Sequence, residues 1–183
     1  MIGRALILDR DGVVNREVGY LSRIEDVQWV PGVWELCRTA RDAGFAIVIV
    51  TNQSGIARGL YSEDDFHALM GWFGERFLAE GVELEGYYYC PHHPEHGVGE
   101  YRRECTDRKP GPGMLLRAAR ELELDLAASV MVGDRCSDVG AANAAGVGRI
   151  FLLAGTEAGD CGGTYIPVDS LDAVRAELEQ VHG

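Results

Sequence analysis

The chain has 183 residues, 46% hydrophobic and 25% charged, which is enough apolar material for one compact domain over 1–183 and too little for a second full one. Its formal net charge of -12 excludes a broad nucleic-acid footprint, which needs clustered Lys and Arg, and leaves room for a local basic pocket only. No apolar run approaches the roughly 20 residues that span a bilayer. Met1-Ile2-Gly3-Arg4 leads into a short apolar run, not a signal-peptide core, so a cytoplasmic protein without membrane association is expected. Five widely spaced cysteines, an odd number, argue against a disulfide framework. Cys37 and Cys136 read as small buried apolar residues.

Arg4 to Leu8 and Ala46 to Val50 are short apolar runs that fit strands buried on two faces. The first ends at Asp9-Arg10-Asp11-Gly12, the second at Thr51. Between them Val33, Leu36, Cys37 and Ala40 share one helical face, with Gly44 as the stop. A second helix is predicted from Ser62, a cap residue followed by the acidic turn Glu63-Asp64-Asp65; it carries Phe66, Leu69, Met70, Phe73 and Phe77 inward and stops at Gly81. Tyr87-Tyr88-Tyr89 reads as an aromatic strand. Trp29, Trp34 and Trp72 read as packing residues and not as sugar-stacking platforms.

Residues 90 to 112 form an irregular insertion. Beyond it come a helix marked by Leu115, Ala118, Ala119 and Leu122, a strand at Ser129 to Val132, and a short helix from Asp138 to Ala145. A strand at Arg149 to Leu153, a Gly-rich loop at 155–163 and a terminal helix from Leu171 to Val181 complete the chain. The alternation predicts an α/β, Rossmann-like, doubly wound, mostly parallel sheet, whose ligands sit beyond the carboxyl ends of its strands.

Those ends carry the chemistry. Two carboxylates one residue apart after a buried strand are poor packing residues, because an unpaired buried charge carries a heavy desolvation penalty. Taken alone, Asp9 and Asp11 fit either a turn before Gly12 or an oxygen-rich site for Mg²⁺. Thr51, Lys109 and Asp134 bring a hydroxyl, an ammonium and a further carboxylate to the same sheet edge. Asp138 fits either a carboxylate behind the metal ligands or a solvated residue in a helix's first turn.

The ordered set Asp9-Arg10-Asp11-Gly12, Thr51-Asn52, Lys109-Pro110 and Gly133-Asp134 resembles the haloacid dehalogenase superfamily of phosphatases across nearly the whole chain. The resemblance implies Asp9 as nucleophile, Asp11 as acid and base, and Mg²⁺ held by Asp9, Asp134 and the Asp11 backbone carbonyl. Thr51 and Lys109 would then neutralise the phosphoryl oxygens.

Cys90-Pro91-His92-His93-Pro94 and Cys105-Thr106-Asp107 place metal-binding groups at both ends of the insertion, which suggests a structural zinc loop over about 90–109. Cys90, His92 and Cys105 are three candidate ligands; buried thiols and surface histidines are the alternative. Together with Gly19-Tyr20, the run Thr51 to Gly59 and Arg108-Lys109-Pro110, the loop is similar to that of the heptose-bisphosphate phosphatase family, in which the second end is Cys-x-Cys. Asp107 stands at the matching position and is the first choice for the fourth ligand, with His93, His96 or water as alternatives.

The family resemblance implies Glu17, Gly19 and Tyr20 on the sugar side and Thr51, Asn52, Gln53 and Ser54 around the reacting phosphate. It also implies Arg108 on the distal phosphate and Arg135 where the family has Lys. The implied role is removal of a 7-phosphate from a phosphosugar in bacterial nucleotide-activated heptose and lipopolysaccharide core synthesis. Alternatives are a histidinol-phosphate phosphatase and a non-catalytic, zinc-stabilised phosphosugar- or protein-binding module. No motif demands a subunit interface, so a monomer is expected.

Overall fold

The computed structural model describes residues 3–153 and 160–182. Strands β1 (Arg4–Leu8), β2 (Phe45–Asn52), β3 (Leu84–Cys90), β4 (Val130–Gly133), β5 (Arg149–Leu153) and β6 (Ile166–Val168) form one sheet in the order β3-β2-β1-β4-β5-β6. Every pairing is parallel. The order reverses between β1 and β4, which opens a crevice where the segments Asp9-Arg10-Asp11-Gly12 and Gly133-Asp134 meet.

Strand alternation divides the sheet between two cores. Leu6 and Leu8 of β1 stand level with Ile47 and Ile49 of β2 and with Val130 and Val132 of β4 on one face. Helices α1 (Val33–Asp42), α3 (Glu63–Ala79) and α6 (Leu171–His182) cover that face through Leu36, Phe66, Phe73, Phe77, Val174 and Leu178. Ala5, Ile7, Val48, Val50 and Met131 point the other way, onto α4 (Gly113–Glu121) and α5 (Cys136–Ala145). Burial on both faces explains why these strands read as unbroken apolar runs.

The start of α3 follows its sequence signals closely: the Ser62 hydroxyl accepts from Asp65 N and the Asp65 carboxylate accepts from Ser62 N, a reciprocal cap. Trp29 stacks on Trp72 at 5.8 Å and Trp34 meets Phe77 edge-on at 5.0 Å, so the tryptophans pack at the margin of the α1–α3 core. Among the described residues no helix is long and apolar enough to cross a membrane.

Three features depart from the sequence reading. The four-residue helix α2 (Ser54–Ala57) and the edge strand β6 are too short to leave a periodic signal. Cys136, expected as an apolar residue, forms a disulfide with Cys161, 25 residues away. The chain entering β6 runs along α5: near the helix's carboxyl end Asn143 exchanges two hydrogen bonds with the Thr164 backbone, and at its start Cys136 is bonded to Cys161. Cys37 is fully buried. Of the predicted Gly-rich loop, residues 155–159 lie outside the described residues.

Because Phe77 is fully buried against Trp34, Phe77→Ala should destabilise the fold by about 3–5 kcal/mol, read as a lower urea midpoint with unchanged slope.

Candidate active site

At the β1/β4 crevice, Asp9 leaves β1, Asp134 leaves β4, and Asp138 projects from the first turn of α5. All three are almost fully buried, and a carboxylate oxygen from each lies within 4.8 Å of the others. Gly12 permits this approach: it has φ +93°, and a Cβ there would run into the Asp134 carboxylate.

Lys109 reaches into the cluster from the end of the insertion. Its Nζ donates to Asp138 Oδ1 at 2.6 Å, to Asp9 Oδ1 at 2.8 Å and to the Val50 carbonyl at 3.1 Å. An ammonium has three donors, so all are occupied by protein acceptors. Burial disfavours the Lys109 charge, yet the Asp138 and Asp9 carboxylates outweigh that and hold its pKa above the ordinary value.

Asn52 fixes the backbone of the same residue, its Nδ2 donating to Lys109 O at 3.1 Å and its Oδ1 accepting from Lys109 N at 3.0 Å. Asp138 is also anchored, since Oδ2 accepts from the amides of Asp134 and Arg135 at 3.1 and 3.0 Å. The solvated reading of Asp138 is therefore overturned.

One cation against three carboxylates leaves excess negative charge. Burial, then the Asp138 charge, raises the Asp9 carboxyl well above its usual range against the opposing pull of Lys109. Burial, then Asp138, pushes Asp134 up to about 6. Buried, mutually repelling oxygen donors of this kind fit a hard divalent cation.

Asp11 stands on the other side of the turn. Gln53 Nε2 bridges it to the end of β2, donating to Asp11 Oδ2 at 3.2 Å and to Thr51 Oγ1 at 2.8 Å. The Thr51 hydroxyl thus accepts from Gln53 and keeps its own proton to donate. Asp9, Asp11, Thr51 and Lys109 all line a cavity of about 520 Å³. Glu17, Gly19, Tyr20, Ser54, Arg108 and Arg135 line it as well. Glu17 also accepts from Gly19 N at 2.8 Å and pairs with Arg135 at 3.5 Å, which links the segment after β1 to the start of α5.

Sequence reasoning missed four contributors. Arg58, one residue past α2, lines the cavity with its guanidinium 5.7 Å from the Tyr20 ring centre, and His93, Tyr61 and Ser137 line it too. Arg58 lies four residues after Ser54, and only the presence of α2 could have turned that spacing into a shared face.

Within the insertion, ligand atoms of Cys90, His92 and Cys105 lie within 4.8 Å of one another, an arrangement that fits a soft-ligand metal such as zinc. Burial pushes the Cys90 thiol up to about 12 in the absence of such an ion. Asp107 is not part of this group: its carboxylate pairs with Arg117 at 2.9 Å, because α4 brings that guanidinium beside it. Nor is His93 Nδ1 turned to the cluster, since it accepts from the amides of Glu95 and His96. Arg108 Nη1 donates to Ser54 Oγ at 3.1 Å and to the His92 carbonyl at 3.3 Å, so the ligand cluster and the cavity wall share one side chain.

The HAD-hydrolase-like family model matches residues 106–174. A D-glycero-α-D-manno-heptose-1,7-bisphosphate 7-phosphatase of Burkholderia mallei is 49% identical over 158 residues, covering 86% of this chain and 84% of the relative. The β-anomer 7-phosphatase of Vibrio cholerae is 48% identical over 175 residues, covering 93% and 92%. A crystal structure of D,D-heptose 1,7-bisphosphate phosphatase from B. bronchiseptica, complexed with magnesium and phosphate, superposes with a TM-score of 0.79 at 30% identity, covering 97% of this chain and 99% of that one.

Fold and site together define a phosphoric monoester hydrolase with the haloacid dehalogenase architecture. The chain belongs to the D-glycero-D-manno-heptose 1,7-bisphosphate 7-phosphatase family of that superfamily.

Lys109→Met leaves the three carboxylates without their cation. In magnesium-free buffer it should cost about 3–5 kcal/mol of stability, measured by urea unfolding; an unchanged midpoint would contradict a charged Lys109 clamp.

Proposed function

We propose that this chain hydrolyses the 7-phosphate of a D-glycero-D-manno-heptose 1,7-bisphosphate through an aspartyl-phosphate on Asp9. The observation that carries the reading is one cavity with a buried Asp9–Lys109–Asp138 cluster at its floor and the guanidinium of Arg108 on its wall, a shape suited to a sugar with two phosphates. Kinship with relatives named for that reaction supports the same choice.

Asp9 Oδ attacks phosphorus while the bond from phosphorus to the sugar oxygen breaks, and Asp11 gives its proton to the departing oxygen. Asp11 then takes a proton from water as the water oxygen attacks phosphorus, which frees the Asp9 carboxylate and inorganic phosphate. The Thr51 hydroxyl donates to a phosphoryl oxygen. Lys109, whose N–H groups are occupied, contributes charge and fixes the direction of Asp9. Asp9, Asp134 and the Asp11 backbone carbonyl would hold Mg²⁺, which would supply neutralisation of the phosphoryl oxygens.

Glu17, Gly19 and Tyr20 face the sugar, Asn52, Gln53 and Ser54 the reacting phosphate, and Arg108 with Arg135 the distal phosphate. Cys90, His92 and Cys105 would hold a zinc ion, which would stiffen the insertion that presents Arg108 and Lys109.

Phosphate release from both anomers of the heptose bisphosphate and from histidinol phosphate tests the substrate. A higher kcat/KM for a heptose bisphosphate is expected, and preference for histidinol phosphate would reject it. Asp9→Asn should abolish magnesium-dependent release, whereas equal, negligible rates in the two proteins would indicate a binding module. Metal analysis should find about one zinc per chain, lowered by Cys90→Ser; zinc-free, fully folded protein would contradict the structural metal.

A further inference from the structure

Arg10, between the two motif aspartates, is fully buried and takes no part in lining the cavity. Burying a guanidinium carries a penalty of several kcal/mol before pairing. A long apolar side chain would fill the same space against Phe66 and Phe73, whose ring centres lie 5.6 and 5.8 Å from the Arg10 Cζ. The two rings meet the guanidinium in cation–π contacts, which offset part of that penalty and leave its N–H groups to be satisfied elsewhere.

Its hydrogen bonds point to another role. Nη2 donates to Asp11 Oδ2 at 3.0 Å and Oδ1 at 3.1 Å, and Nε donates to Oδ1 at 3.3 Å. The same Nη2 reaches the Leu21 carbonyl and Gln53 Oε1, both at 3.4 Å, which ties the fork to two further segments. Asn15 Nδ2 adds a bond to Asp11 Oδ1 at 3.0 Å, and Gln53 Nε2 one to Oδ2. Asp11 is thus gripped at both oxygens from behind, yet its side chain keeps 18% exposure and lines the cavity.

We propose that Arg10 is a positioning residue for the acid–base steps: its buried fork sets the plane of the Asp11 carboxyl so that the cavity-side edge meets first the leaving oxygen and then the attacking water. The inference rests on the reading of Asp11 as acid and base. Orientation of this kind matters because small displacements of a reacting group cost about 10²-fold in rate. Lys cannot replace the fork, since an ammonium offers a point charge without planar, paired donors.

The experiment uses p-nitrophenyl phosphate, whose leaving group departs without a proton. Stopped-flow release of p-nitrophenolate is compared for wild type, Arg10→Lys, Arg10→Met and Asp11→Asn. Each Arg10 variant should give a rapid burst close to the enzyme concentration, followed by turnover reduced about 10²-fold, because water attack on phospho-Asp9 lacks its aligned base. Asp11→Asn should show the same signature.

Arg10 variants that lose burst rate and turnover together, or that turn over like wild type, overturn the proposal while Asp11→Asn still shows its burst. Absence of a burst in Asp11→Asn overturns the acid–base reading and the proposal with it. Should Arg10→Met fail to fold, Arg10→Lys, which keeps the charge and most of the volume, carries the comparison.

Discussion

The ammonium of Lys109, enclosed by Asp9, Asp138 and the Val50 carbonyl, is the contact on which the sheet edge depends. It joins the ends of β1 and β2, the start of α5 and the end of the insertion, segments brought together only by tertiary folding. Without a cation at that point, Asp9, Asp134 and Asp138 would present three buried, repelling charges at the switch point of the sheet. With it, charge is partly balanced, and the remaining negative excess suits a divalent metal. The same contact that stabilises the floor of the cavity thus defines its chemistry.

The insertion is the second half of that contact. Its ligand cluster, Cys90, His92 and Cys105, is linked through the His92 carbonyl to Arg108, and the next residue is Lys109. Tyr101 anchors the insertion on α3 by donating to Glu63 Oε2 at 2.8 Å, and Tyr89 donates to the other oxygen at 2.6 Å. A segment with little regular structure is therefore held at both ends and in the middle, so the two cations it delivers arrive in fixed positions. Under the proposed function, such a loop would set both catalysis and substrate choice.

Much of this was legible in the residues. Apolar runs buried on both faces, such as Ala5 to Leu8, announced the parallel strands, and the Ser62 cap announced α3. Asp9, Asp11, Thr51, Lys109 and Asp134 were marked because each sits at a strand or loop end where packing does not want a polar group, and all five come together at the crevice.

What stayed hidden depended on distance in sequence. The Cys136–Cys161 disulfide follows from the path of the chain into β6, and the pairing of Asp107 with Arg117 follows from where α4 begins. Asp138 was ambiguous because helical position alone does not reveal that a lysine 29 residues earlier comes to meet it. Arg10 was overlooked because an arginine beside an aspartate reads as solvated until burial is known.

The account makes Asp9 a nucleophile whose direction is set by Lys109. Acid quenching during turnover of the heptose bisphosphate, followed by peptide mapping by mass spectrometry, tests that most directly. A single added phosphoryl group on the peptide containing Asp9, absent from Asp9→Asn, is the predicted result. Steady turnover with no phosphorylated peptide, or with the label on another residue, would contradict it.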